Sequence, residues 1–227
     1  MTETPDNQPG QEGSRSRKTK AIQSPYDYHW LMQQLEEHGK NVYDPRFKLD
    51  DTDRPVIIKL LAYFLYDEAV AAAEGLDLQK GLLLMGPIGC GKTSLMTLIR
   101  ALAPESYRPW IVSCRDISFE FGKTGYDAIT CYAKKAFFPY SNIPKVHCFD
   151  DLGVEQPINY WGNSCNVMGE ILLSRYDLFI SHKMLTHVTT NLNSKELEEA
   201  YGNRLRSRMR AMFNLVAFGN ETRDKRS

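Results

Sequence analysis

No apolar run in this chain approaches the roughly 18 residues that a membrane-crossing helix requires. The opening residues, MTETPDNQPG, lack both the basic start and the apolar stretch of a secretory leader, so a cytoplasmic location without a membrane partner is expected. Net charge is missing too, because 28 Lys and Arg balance 28 Asp and Glu. A polyanion therefore has no whole-molecule field to follow and must meet a local patch. Cysteine is scarce and odd in number, five in 227 residues, with no CxxC spacing. That argues against a disulfide framework or a structural zinc site and leaves reduced thiols. What is present is an ordinary globular composition, 42% hydrophobic and 25% charged, at a length that suits one domain with an appendage.

The apolar content is unevenly spread. Residues 1–24 hold Pro, Gly, Gln, Ser and charge but one branched apolar side chain, Ile22, too little to offset the entropy of ordering. They read as a disordered tail whose basic run, Ser14 to Lys20, solubilises it or brushes a nucleic acid. Residues 25–75 predict a helical extension. Tyr28, Leu31, Met32 and Leu35 recur at helical spacing before a stop at Gly39. A second helix is capped by Asp53, has Pro55 in its first turn and carries Ile57, Leu60, Leu61, Phe64 and Leu65 on one face, running to about Glu74.

From residue 76 the pattern changes to short apolar runs separated by helical stretches. LLLM (82–85), WIVS (110–113), VHCF (146–149), LTHVTT (185–190) and LVAF (215–218) are five strand candidates. Strands alternating with helices predict an α/β fold, a parallel sheet with right-handed crossovers sandwiched by helices.

The first strand runs directly into GPIGCGKT, and a helix is predicted from Lys92 to about Ala103. This strand, glycine turn and helix form the P-loop pattern, in which backbone N–H groups and the helix N-terminus converge on phosphates. Gly86, Pro87, Ile88, Gly89, Cys90, Gly91, Lys92 and Thr93 are the expected nucleotide contacts, with Lys92 reaching the β- and γ-phosphates and the Thr93 hydroxyl ligating Mg²⁺. Cys90 reads as a small side chain in a variable position.

A later strand ends in two carboxylates, Asp150 and Asp151, where a parallel sheet places its ligand. Asp150 is expected to hold Mg²⁺ and Asp151 to orient and deprotonate the attacking water, with Glu155 as a second candidate base. Thr189, Thr190 and Asn191 end the next strand, where a polar side chain can position that water. The helix from Ser194 to about Met212 has Ser194 as its cap, Glu196, Glu198 and Glu199 early and Arg204, Arg206, Arg208 and Arg210 late, as its dipole favours. Those arginines point around most of the helix, so at least one is expected to meet a phosphate or a neighbour. Two further features stay open. Lys134, Lys135, Phe137, Phe138 and Tyr140 mix charge with aromatics, either as a helix packed on the sheet or as a contact for single-stranded DNA. His147 and His187 lie on strands that could be neighbours, but no third metal ligand stands at a suitable spacing.

On GPIGCGKT, FDDLGVE (149–155), TTNLNSKELEEAYGNRLRSRM (189–209) and FGNETR (218–223), the chain resembles the AAA+ ATPases of the DnaC/IstB group. These are bacterial replicative helicase loaders and ATP-binding helpers of insertion-sequence transposases, and the resemblance covers about residues 80–223. It implies a five-stranded AAA+ sheet, ATP and Mg²⁺ as cofactors, and an ATP-dependent ring or spiral homo-oligomer around DNA. It also implies Asn191 as a first sensor, Arg204 and Arg208 as arginines offered to a neighbouring subunit's ATP, and Arg223 as a second sensor. A replicative helicase or a transposase is the implied protein partner. Asp151 stands where many relatives carry Glu, and the short N-terminal part matches no recognisable helicase- or DNA-binding domain. Trp161 reads as a cover for the nucleotide site or a subunit contact. Rival readings are a nucleotide-switched adaptor with negligible hydrolysis and a P-loop small-molecule or nucleotide kinase. A transporter ATPase lacks support, since no LSGGQ-like stretch occurs.

Overall fold

The computed structural model describes residues 24–155, 158–160, 163–219, 222 and 224–225. The predicted tail, apart from Ser24, lies outside the described residues, as do Trp161 and Arg223. Five parallel strands form the sheet: β1 (Gly81–Met85), β2 (Trp110–Ser113), β3 (His147–Leu152), β6 (Thr186–Thr190) and β7 (Phe213–Ala217), in the order β2-β3-β6-β1-β7. Between β3 and β6 a small antiparallel hairpin, β4 (Ile158–Tyr160) and β5 (Asn163–Cys165), stands apart from the sheet.

The LLLM run is explained by burial on both faces. Leu82 and Leu84 join one core cluster with Ile57, Leu60, Leu61, Met96 and Ile99, whereas Leu83 points to the other, with Phe121, Phe149, Ile171 and Val188. The first cluster is built from α1 (Tyr28–Val42), α2 (Arg54–Phe64) and α4 (Lys92–Ile99). The second is covered by α5 (Cys114–Thr124), α6 (Tyr126–Tyr132), α7 (Val167–His182) and α8 (Ser194–Met212). No described helix is long and apolar enough to cross a membrane.

Several local expectations are corrected. Gly39 does not end the first helix, which continues to Val42, because the glycine makes room for the Phe47 ring that a Cβ would strike. The second predicted helix breaks at Leu65 and Tyr66, the latter at φ 56°, and restarts as α3 (Glu68–Ala73) with the Asp67 carboxylate accepting from the Val70 N–H at 3.2 Å. Asp53 makes no capping bond; it is buried and paired with Lys225. The helix after the P-loop stops at Ile99 rather than Ala103, giving way to a single 3-10 turn. The cap of α8 is Asn193, one residue earlier than expected, in a reciprocal capping box with Glu196. Residues 134–140 form turns and one bridge, Phe137 to Pro144, and no helix.

Candidate functional site

The C-terminal ends of β1, β3 and β6 face one cleft of about 860 Å³. Gly89 and Gly91 take φ values of 79° and 94°, which turn the chain from β1 into the N-terminus of α4. Lys92, only 4% exposed, donates from its ammonium to the carbonyls of Gly86 and Pro87 at 2.9 Å each and to Asn191 Oδ1 at 2.5 Å. Two expected site residues from distant segments are thus in direct contact. Cys90 is buried behind them, and burial pushes its thiol up.

Beside this pair, the Thr93 hydroxyl donates to the Asp150 carboxylate, at 2.9 and 3.0 Å to its two oxygens. The Thr189 hydroxyl donates to Asp150 Oδ1 at 2.6 Å and accepts from the Asp151 N–H at 2.9 Å. Burial pushes the Asp150 carboxyl above its ordinary value, against the hydroxyl bonds from Thr189 and Thr93. Among the described residues no Lys, Arg or His forms an ion pair with Asp150. An oxygen-only pair of hydroxyl and carboxylate, lacking a cation, fits Mg²⁺. No cluster of three His, Cys, Asp or Glu side chains that could hold a metal ion occurs among the described residues, so such an ion would complete its shell with water or ligand oxygens.

Asp151 sits at φ 57°, inside a register shift between Phe149 and Leu152 of β3. The irregularity interrupts the strand's alternation, and Asp151 lines the cleft. Glu155 does not line it; its carboxylate accepts from the Gly153 N–H at 2.8 Å and from the Tyr201 hydroxyl. On α8, Arg206 pairs with Glu198, and the Arg208 guanidinium lies 4.9 Å from the Tyr176 ring centre. Arg204 is exposed, with no hydrogen bond or ion pair to a described residue. The two histidines do not converge on a ligand. His187 Nδ1 accepts from the Leu82 N–H at 3.1 Å, His147 stacks on Phe149, and burial pushes both imidazoles down to about 3.

Sequence reasoning missed two parts of the cleft. Tyr43, Arg46, Phe47 and Leu49, from the segment after α1, form a wall facing the P-loop. Lys225 also lines the cleft, its N–H donating to the Gly89 carbonyl at 3.0 Å and its ammonium paired with Asp53. Neither belongs to a motif; an aromatic and basic run, YDPRFKL, was the only signal for the first.

No family model and no curated protein matches the chain. Solved structures do. The DnaC helicase loader is similar over 81% of this chain and 99% of its own, at 17% identity and a TM-score of 0.54. A candidate primosome component from Streptococcus pyogenes serotype M3 is similar over 82% and 91%, at 14% identity and a TM-score of 0.53. With its parallel strand order and the glycine turn after β1, the chain has a P-loop α/β fold similar to that of the solved DnaC helicase loader.

Proposed function

We propose that this protein binds and hydrolyses ATP as an oligomeric AAA+ loader or remodeller in DNA replication or transposition. One observation carries the reading: Lys92 and Thr93 meet Asn191 and Asp150 in a single cluster beside a cleft large enough for a nucleotide. The likeness to a helicase loader supports the choice of process.

In this reading the Lys92 ammonium exchanges its carbonyl partners for the β- and γ-phosphates. Thr93 and Asp150 hold Mg²⁺, which when bound neutralises phosphate charge. Asn191 orients a water, and Asp151 takes its proton as the water oxygen bonds to the γ-phosphorus. The bond from phosphorus to the β–γ bridging oxygen breaks, releasing ADP and phosphate. Arg204, exposed, and Arg208, whose guanidinium lies over the Tyr176 ring, are offered to the ATP of an adjacent subunit. Arg223 is assigned the second sensor role on the resemblance alone.

Single-stranded DNA has its own surface in this reading. Residues 106–115 and 133–147 contain no Asp or Glu, and they meet at the edge strand β2. There the Lys145 ammonium lies 5.6 Å from the Trp110 ring centre and 6.0 Å from that of Phe138, beside the fully exposed Tyr140. Stacking rings interleaved with cations suit unpaired bases on a phosphate backbone.

The test is a mixing experiment. Arg204→Ala and Lys92→Ala are each expected to hydrolyse poorly, and co-assembled mixtures to recover activity, because the Lys92 variant presents Arg204 to an intact P-loop. Co-assembly without recovery counts against Arg204 acting in trans. A capture experiment in ATP against ADP then separates the partners, a hexameric helicase for a loader or a transposase for an insertion-element helper.

A further inference from the structure

Glu155 is absent from the cleft and yet tightly held. The Tyr201 hydroxyl and the Gly153 N–H both donate to its carboxylate. Burial pushes the Glu155 carboxyl up and the Tyr201 hydroxyl strongly up, so each group has lost water and depends on the other.

The two ends of this bond stand at particular places in the chain. Glu155 lies three residues beyond the end of β3, the strand that carries Asp151, and Gly153 in between packs on Leu192, the neighbour of Asn191. Tyr201 is the last residue before Gly202, where α8 leaves helical geometry at φ 79° and ψ 160°. No atom lies within 4 Å of where a Gly202 Cβ would stand, so the backbone angle, and not close packing, requires glycine there. The Asn166 amide donates to the Ala200 carbonyl at 3.0 Å. The first half of α8 is thus gripped at Ala200 and Tyr201, and Arg204 opens the second half two residues beyond the kink.

We propose that Tyr201 and Glu155 are positioning residues, coupling the acidic loop of the nucleotide cleft across the Gly202 kink to the direction in which α8 presents Arg204. A shift of Asp151 or Asn191 on meeting the γ-phosphate moves the loop, and the loop moves α8 through this bond. The inference rests on the ATPase reading, with Arg204 acting in trans.

A double-mutant cycle on the full chain tests it, using Tyr201→Phe, Arg204→Ala and the pair, with ATP affinity and turnover measured for each. Tyr201→Phe is expected to keep ATP affinity within about twofold and to lower turnover about tenfold, in the range of coupling between linked groups. The pair is expected to lose no more than Arg204→Ala alone, because Tyr201 acts through Arg204. Glu155→Gln, which still offers Tyr201 an acceptor, should retain turnover within about threefold. Gly202→Ala, which changes the kink without touching the bond, should reproduce the Tyr201→Phe pattern and stands in for it if that variant does not fold. Multiplicative losses in the pair, or unchanged turnover in Tyr201→Phe, overturn the coupling. Loss in Glu155→Gln as complete as in Asp151→Asn overturns it as well, making Glu155 the base. Normal turnover in Arg204→Ala instead removes the trans-arginine reading, and the proposal with it.

Discussion

Arg175 and Lys92 are both buried cations without a carboxylate partner among the described residues, one at each end of the strands. Arg175, fully buried, donates to the Thr186 hydroxyl at 2.6 Å and to the carbonyls of Tyr132, Lys145 and Leu185 at 2.8, 3.2 and 2.7 Å. Its acceptors belong to the end of α6 and to the starts of β3 and β6, and burial pushes its guanidinium down to about 9. Lys92 relies on two carbonyls of a glycine turn and one amide, all beside an open cleft. A cation whose acceptors are fixed strand ends holds the fold together. One whose acceptors lie on a turn next to free space can be handed to a ligand.

Four substitutions break or sharpen that contrast. Arg175→Leu strands several buried acceptors at once, so it should cost about 4 kcal/mol or more and lower the melting temperature by roughly 10 °C. A drop of under about 3 °C in thermal unfolding would erase the distinction between the two cations. Lys92→Ala should leave melting within about 2 °C, since water can enter the cleft, but reduce ATP affinity by about a hundredfold or more in a titration. Near-normal affinity would remove Lys92 from its role. Asp151→Asn should bind ATP as before and lose about a hundredfold in turnover. Should it hydrolyse normally while Glu155→Gln does not, the proton acceptor is Glu155.

The smallest effect concerns Asp150 and pH. Its carboxyl is raised in the folded state, so ionisation costs the nucleotide-free fold. That cost is absent below the ordinary carboxylate value of 3.8 and develops as pH rises through the higher folded value. Asp150→Asn removes it. Because the group is partly solvated, the gain in melting temperature is modest at pH 7 and closes towards pH 4. Mg²⁺-dependent nucleotide binding should weaken in the same variant. A melting difference that stays constant from pH 7 to pH 4 would show that Asp150 titrates normally.

The glycine-turn side of the cleft is legible in the amino-acid sequence, because each of its parts leaves residue types in a fixed local order. Strand, glycine turn and helix announce Lys92 and Thr93, and a strand ending in two carboxylates announces Asp150 and Asp151. Asn191 follows from the next strand end. The other wall is not legible there, because Phe47 and Lys225 reach the cleft through tertiary packing. Gly39 reads as a helix stop but serves a helix interior, and Asp53 reads as a cap while its carboxylate is committed 172 residues away to Lys225. Helix α7 also escapes, since VMGEILLSRYDLFISH has apolar side chains around most of its circumference and little periodicity to read.

The strand order also sets a timetable for synthesis. β1 is made early, yet it is flanked by β6 and β7, the last two strands of the sheet to be made. The Leu82 N–H waits for His187, 105 residues downstream, and the Asp77 N–H for Asn214, 137 residues downstream. At synthesis rates of about 5–20 residues per second that interval is on the order of ten seconds, during which GLLLM has neither neighbour. The strand that delivers the glycine turn is thus the one that stays unpaired longest during synthesis.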